Sequence, residues 1–259
     1  MNRSVLALLL VLLISIPALA ADGGAAHITG AWVPPKIGPV AGGMIYAFDV
    51  KAGPPPSRGG ARRLADAIAT TDAAGKFSIE LPGGSYYISA WKRTSEVPGP
   101  PQDGDLHGLS RDEKGAPAVY TVKAGQTLDI GTMRQGTIFR SSTPDVPADA
   151  TAISGTLRAP DGSPLSGAVV EVYTNPAITG KPVYVSPQSG TDGKYLIRVD
   201  REGTYYVAVR AGYAGGRPRS GDMYGLYGGE NAKPVQVRAH TVTSGIDIQV
   251  GAFVDNRPQ

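Results

Sequence analysis

The two halves of this 259-residue chain repeat one order of strands and turns. Residues 30–42 align with residues 155–167 at a single offset (155 − 30 = 125), with glycine, proline and glycine at matching places. Further on, GDLHGLS at 104–110 aligns with GDMYGLY at 221–227 at a second offset (221 − 104 = 117). Agreement at glycine and proline positions over most of each half is hard to obtain by chance. The chain is therefore predicted to hold two copies of one domain.

Apolar residues alternate along the repeated segments, as in strands that bury one face. Ala168, Val170 and Val172 fall on one face, and Tyr195 and Ile197 repeat the pattern. A period of two places one set of side chains in a core and the other in water. Asp-Gly pairs at 161–162 and 192–193 separate these segments, as in tight turns. In the first half we expect strands at 27–33, 43–50, 67–71, 76–81, 85–91, 118–123 and 127–133.

The order of motifs in the second copy resembles a known family. It reads GTLRAPDGSPLSGAVV from residue 155, TDGKYLI from residue 191 and GTYYVAV from residue 203. This order is similar to that of the carboxypeptidase regulatory-like domain family. The first copy departs from it at Lys36-Ile37, which replaces the Asp-Gly turn, and at Gly43, which replaces Ala168. The resemblance implies an all-β chain with two tandem seven-stranded transthyretin-like or immunoglobulin-like β-sandwich domains, acting as accessory modules without a catalytic centre.

An export signal is predicted at residues 1–20, where Arg3 precedes an apolar run that ends in Pro17-Ala18-Leu19-Ala20. We then expect domain 1 at 26–137, a linker at 138–150, domain 2 at 151–253 and a tail at 254–259. The apolar run is too short to span a bilayer comfortably, so we expect an exported protein, periplasmic or extracellular, with no membrane span in the mature chain. The formal charge of +3 is too small to indicate a nucleic-acid partner.

The segment KAGPPPSRGGARRL at 51–64 is predicted to be a mobile loop, because its prolines and glycines oppose regular pairing. It carries Arg58, Arg62 and Arg63. These are interpreted as a solvated cluster, with contact to an acidic partner as the alternative.

The twin segments GDLHGLS and GDMYGLY are the candidate interaction surface, and they are expected as loops. One interpretation is structural: Asp105 and Asp222 cap their own loops, and Leu109 and Leu226 fill the open end of each sandwich. The other is functional: aromatic side chains form an amphipathic ledge for a sugar or a protein partner. The residues of this candidate surface are Trp91, Asp105, His107, Tyr213, Asp222, Tyr224 and Tyr227.

Catalytic, metal and cofactor sites are not expected. Asp105, His107 and Ser110 suggest a triad, but tyrosines replace the histidine and the serine in the second copy. His27, His107 and His240 are dispersed, and the chain has no cysteine for thiolate ligands or disulfides.

Two functions from different classes remain open. The first is a secreted, non-catalytic structural or protein-interaction module, with an unknown envelope or extracellular protein as its partner. The second is a carbohydrate-binding module that uses the tyrosine-rich segments of the second domain on a polysaccharide.

Overall fold

A computed structural model describes residues 24–57, 60–95, 101–140, 149–211 and 218–254. Their regular structure consists of β-strands and one 3₁₀ turn at Val50–Ala52, so the all-β prediction is confirmed. Among these residues, no helix has the length and apolar character needed to cross a membrane. The predicted signal at 1–20, linker residues 141–148 and tail residues 255–259 lie outside the described ranges.

The described part of the first half forms nine strands in two sheets. The smaller sheet has the order β4-β1-β8, antiparallel between β1 and β4 and parallel between β1 and β8. The larger has the order β3-β2-β5-β6-β9, and β7 pairs with the beginning of β5. The strands are β1 (Ala26–Trp32), β2 (Met44–Asp49), β3 (Ala67–Thr70), β4 (Lys76–Leu81), β5 (Gly84–Lys92), β6 (Leu106–Leu109), β7 (Val119–Val122), β8 (Thr127–Met133) and β9 (Thr137–Ile138).

The described part of the second half repeats this order. β10 lies between β13 and the short strands β17 and β18, while the larger sheet has the order β12-β11-β14-β15-β19 with β16 on β14. The strands are β10 (Ala152–Arg158), β11 (Ala168–Tyr173), β12 (Tyr184–Gln188), β13 (Lys194–Arg198), β14 (Gly203–Ala211), β15 (Met223–Leu226), β16 (Val235–Val237), β17 (Val242–Thr243), β18 (Ile248–Gln249) and β19 (Gly251–Ala252). Each strand thus has a counterpart 114–126 positions earlier, with β17 and β18 together in the place of β8.

Each half buries its own core between its two sheets. Strand β4 shows the reason: Phe77, Ile79 and Leu81 are buried while the residues between them are exposed. Fully burying one such side chain contributes about 1.5–3 kcal/mol. The fully buried side chains of the first core include Ile28, Trp32, Ile45, Ile79 and Ile88, and those of the second include Ile153, Leu157, Val170, Ile197 and Val207.

A repeated glycine lets the last part of each half approach its first strand. A Cβ on Gly30 would lie 2.8 Å from the carbonyl oxygen of Gly131. A Cβ on Gly155 would overlap the carbonyl oxygen of Ile246. Any larger residue would push these backbones apart, so close packing explains why both copies have glycine here.

The prediction that the twin segments are loops is wrong for their central residues. Leu106–Leu109 and Met223–Leu226 are strands β6 and β15, which pair with β5 and β14. Leu106 and Gly108 are buried, whereas His107 and Leu109 are only half-buried. The Gly-Asp pair before each segment suggested a turn and obscured this short alternation of buried and half-buried residues. With these additional strands, each half has more than the seven strands expected.

The structure of the segment between β2 and β3 also differs from the prediction of a loop with a solvated arginine cluster. Arg63 is 8% exposed, so the expectation of a solvated arginine cluster is wrong for this residue. Its Nε donates to Pro54 O at 3.2 Å, and its Nη2 donates to Asp49 O and Gly53 O at 2.8 and 3.0 Å. The prolines and glycines leave carbonyl groups without strand partners, and one guanidinium satisfies three of them. Arg58 lies outside the described residues.

Residues 60–66, which we call the clamp segment, contact the second half. The amide of Val185 on β12 donates to Arg62 O at 2.8 Å, so the segment covers the outer edge of that strand. Lys181 Nζ lies 2.8 Å from Asp66 Oδ1 and 2.7 Å from Ala65 O. Ala61 packs against the core of the second half. The predicted mobile loop is therefore, in its described part, an interface between the halves.

Candidate functional site

The twin segments lie at the same place in each half. Strand β6 pairs with β5 on one side and with the short β9 on the other, and β15 lies in the same way between β14 and β19. A Cβ on Gly225 would lie 2.7 Å from Gln249 O, and one on Gly108 would overlap Gln135 O. The glycine that both copies keep is therefore required by packing.

Asp105 is fully buried and accepts four hydrogen bonds. Its Oδ1 accepts from the amide and the hydroxyl of Thr94, at 2.8 and 2.9 Å. Its Oδ2 accepts from Trp91 Nε1 and from the amide of Gln102, both at 3.0 Å. Burial alone would raise the pKa of the carboxyl, but these donors outweigh it and lower the pKa to about 2. Asp105 is thus an anchor that is charged at neutral pH and closes its own loop, as in the structural interpretation.

Asp222 occupies the equivalent position with much less support. It is exposed, and among the described residues its carboxylate accepts one hydrogen bond, from the amide of Arg219 at 2.8 Å. The backbone is conserved more closely than the side chain: Asp105 O accepts from Phe139 N at 2.6 Å, and Asp222 O accepts from Phe253 N at 2.7 Å. The two aspartates therefore share a backbone role and differ in side-chain role.

The aromatic residues of the first half pack on one another. The rings of Trp91 and His107 stack at 5.1 Å with 21° between their planes. Phe139 lies at 5.6 Å from Trp91 and 6.2 Å from His107, tilted to both. These rings stand side by side on the outer face of the larger sheet. They form an apolar cluster in which each ring contacts the other two.

The tyrosines of the second half do not form one ledge. Tyr224 contacts Phe253 edge-to-face at 5.5 Å on the outer face of the sheet, and burial raises its pKa. Tyr227 directly follows β15 and packs against the core, on the other face, because three positions separate it from Tyr224. Tyr213 lies outside the described residues.

The structure shows a polar cluster beside Tyr224 that sequence reasoning missed. Glu171 Oε2 accepts from Tyr173 Oη at 2.8 Å and lies 3.3 Å from Arg210 Nε, with side chains only 12% and 9% exposed for the ion pair. Burial raises the pKa of Glu171, although Tyr173 and Arg210 act in the opposite direction. Alternation places Glu171 and Arg210 on one face, but only the pairing of β11 with β14 brings them together. The first half has Trp91 where the second has Arg210, so the two outer faces differ in chemistry.

The arrangement does not assemble the triad suggested by Asp105, His107 and Ser110. All four hydrogen bonds to the Asp105 carboxylate come from other residues, and Ser110 Oγ lies 2.7 Å from Tyr120 Oη. Within the described ranges, no group of three or more His, Asp or Glu residues is placed to hold a metal ion.

Fold and site together define an all-β protein built from paired sheets in two halves, with an aromatic outer face in the first. No protein-family model matches the chain, and no curated protein matches it. Among solved structures, the TIE protein of Bacillus anthracis is similar at 13% identity and a TM-score of 0.27, covering 88% of this chain and 34% of that one. A streptococcal ancillary pilin is similar at 14% identity and 0.23, covering 88% and 63%. BcpA, the major pilin subunit of Bacillus cereus, is similar at 10% identity and 0.25, covering 89% and 99%.

The chain thus spans about a third of the first of these structures and under two thirds of the second. Likeness at these TM-scores establishes neither a shared function nor a shared partner.

Proposed function

We propose that this chain is an exported, non-catalytic β-sandwich protein that binds another protein at the cell envelope or outside the cell. The observation that carries the proposal is the outer face of the larger sheet in the first half. Tyr46, Tyr87, Trp91 and His107 lie on this face in three neighbouring strands. Aromatic side chains on a preformed surface are typical anchors of protein interfaces.

Exposed apolar residues extend this face on both sides. Ile68 on β3 is opposite Tyr46 and 57% exposed, and Val119 on β7 is opposite Tyr87 and 51% exposed. Residues opposite each other in antiparallel strands point to the same face. An apolar face that continues over β3, β2, β5 and β7 is a feature of interaction surfaces. We call the residues of this surface the aromatic face: Tyr46, Ile68, Tyr87, Trp91, His107 and Val119.

The outer face of the larger sheet in the second half differs from the aromatic face, and this difference supports the proposal. This outer face carries the buried Glu171–Arg210 pair and the edge strand covered by the clamp segment. The first half therefore offers the surface that suits a partner. The carbohydrate-binding alternative has less support, because among its described tyrosines Tyr224 contacts Phe253 edge-to-face and Tyr227 packs against the core. The export part of the proposal rests on residues 1–20 of the sequence.

Site-specific photocrosslinking tests the proposal. A photoreactive phenylalanine analogue would replace Ile68 or Val119 in the chain produced in its own cells, with exposed Ser78 and Glu80 on the other sheet as matched control sites. We expect a discrete adduct with an envelope or extracellular protein from positions 68 and 119, and none from 78 and 80. If all four positions give the same adducts, or none gives any, the proposal is wrong.

A further inference from the structure

A cavity of about 280 Å³ lies between the two halves, beside the clamp segment. Leu64 lines it from the first half, and Val183, Tyr184 and Tyr205 line it from the second. The two tyrosine rings meet edge-to-face at 6.0 Å and form an apolar wall. The volume corresponds to about nine waters, which is space for a ligand of on the order of ten non-hydrogen atoms. Small-molecule sites are commonly found at such interfaces between domains.

The charged residues of the cavity are mainly cationic. Arg63, Lys181 and Arg201 line it together with a single carboxylate, Asp66. Asp200 is close to the cavity, and burial raises its pKa even though Arg201 and Arg63 act against this effect. The three cations outnumber the two carboxylates, so an added anion would meet an excess of positive charge.

The donors of these cations are used to different extents. Arg63 gives four hydrogen bonds to Pro54 O, Asp49 O, Gly53 O and Asp66, so it is committed to the clamp. Lys181 uses two of its three donors, on Ala65 O and Asp66. The exposed guanidinium of Arg201 makes no hydrogen bond to any described residue, and only its backbone carbonyl is used, by Tyr205 Oη at 2.9 Å.

We propose that this cavity binds a small carboxylate carried on an apolar or aromatic body. The Arg201 fork and the remaining Lys181 donor bind the carboxylate, because a guanidinium matches its two oxygens. The ligand body packs on Tyr184, Tyr205 and Val183. A partly open site and a ligand of this size correspond to a dissociation constant on the order of a millimolar. Such a carboxylate is either a free aromatic acid or the C-terminus of a polypeptide.

Titrations followed by the amide NMR signals of the isotope-labelled chain from residue 21 onwards test this site. The probes are benzoate for the free acid and N-acetylphenylalanine for a polypeptide C-terminus, each paired with its uncharged amide. We expect saturable shifts at Val183 and Tyr184 with at least one carboxylate and not with its amide. Tighter binding of benzoate would identify the ligand as a free aromatic acid, and tighter binding of N-acetylphenylalanine would identify it as the C-terminus of a polypeptide. Arg201→Met should weaken binding about tenfold, whereas Lys194→Met, which removes a lysine from an exposed ion pair within a turn, should not.

Three results would overturn the assignment. They are the absence of saturable shifts up to about 20 mM of either carboxylate, equal binding of the amides, and wild-type affinity in an Arg201→Met variant whose circular dichroism is unchanged. Because the Arg201 side chain is exposed and the hydrogen bond from Tyr205 Oη goes to its backbone carbonyl, this variant should fold normally. The photocrosslinking of the aromatic face is an independent experiment, so either proposal can fail alone.

Discussion

Replacing Asp105 with asparagine should destabilise the first half strongly while leaving its shape nearly unchanged. Each carboxylate oxygen accepts two hydrogen bonds, from Thr94 on one side and from Trp91 and Gln102 on the other. An asparagine keeps one acceptor oxygen and turns an NH₂ group towards two donors. Two partly buried donors then lose their acceptor, and each hydrogen bond to a charged group contributes roughly 1.5–3 kcal/mol. We expect a loss of about 3 kcal/mol of unfolding free energy at pH 7.

Part of this loss should depend on pH. The pKa of Asp105 is about 2 in the folded chain, against about 3.9 for an unperturbed aspartate. A depressed folded pKa gives stability that is present above the unfolded pKa and is lost as the pH falls through the folded pKa. The full shift corresponds to at most about 2.6 kcal/mol. Water around the exposed donor residues Thr94 and Gln102 screens the charge of the buried carboxylate and reduces this to roughly 1–2 kcal/mol. The difference between wild type and variant should therefore shrink between pH 4 and pH 2.

Urea unfolding followed by tryptophan fluorescence measures this effect, because both tryptophans, Trp32 and Trp91, lie in the first half. Asp222→Asn is the matched control, since that carboxylate is exposed and accepts one hydrogen bond from the part of the chain that the structure describes. It should cost less than about 1 kcal/mol, measured by circular dichroism because the second half has no tryptophan. The reasoning would be refuted if Asp105→Asn cost no more than Asp222→Asn, or if its cost were equal at pH 7 and pH 2.

Three further changes test other parts of the structure. Lys181→Met should weaken the contact between the halves by about 0.5–1 kcal/mol, because it removes the ion pair with Asp66. The distance between two dyes, each attached to a cysteine introduced in one half, should then increase, whereas Lys194→Met should leave it unchanged. An unchanged distance in Lys181→Met would show that this ion pair does not hold the halves together. Gly225→Ala should cost about 2 kcal/mol or more in thermal unfolding, because its Cβ would lie 2.7 Å from a carbonyl oxygen, and a neutral result would mean that β15 can shift. Ile178 has a φ of 50°, which is unfavourable for a β-branched residue. Ile178→Asn should therefore stabilise the chain by about 1 kcal/mol in the same thermal unfolding assay. A destabilised variant would show that the apolar contacts of Ile178 contribute more stability than its backbone strain removes.

Local patterns predicted most strands well. The expected strands at 76–81 and 127–133 coincide with β4 and β8, because alternation and flanking turns are both strong there. The two-residue strands β9 and β19 were beyond prediction, since two residues carry no periodicity. β6 and β15 could have been found from Leu106-x-Gly108 and its counterpart, had glycine been counted as an inward residue.

Contacts between distant residues explain what the sequence did not show. Lys181 and Asp66 are 115 positions apart, so no local pattern signals that Arg63 lies in an interface. The capping role of Asp105 could be predicted from its position in a turn-like segment. Its four hydrogen-bond donors could not, because they belong to Trp91, Thr94 and Gln102, of which two lie more than ten positions away. The spacing between Tyr224 and Tyr227 did contain a usable signal, because residues three apart in a strand cannot share a face.

The covered edge of β12 means that the halves are not independent building blocks for protein production. A fragment beginning at residue 149 would lack residues 60–66 and leave the N–H of Val185 unpaired at the edge of a six-stranded sheet. Bare sheet edges recruit strands from other molecules. Such a fragment would tend to precipitate or grow into fibres, and a fusion protein made from the second half should carry the clamp segment with it.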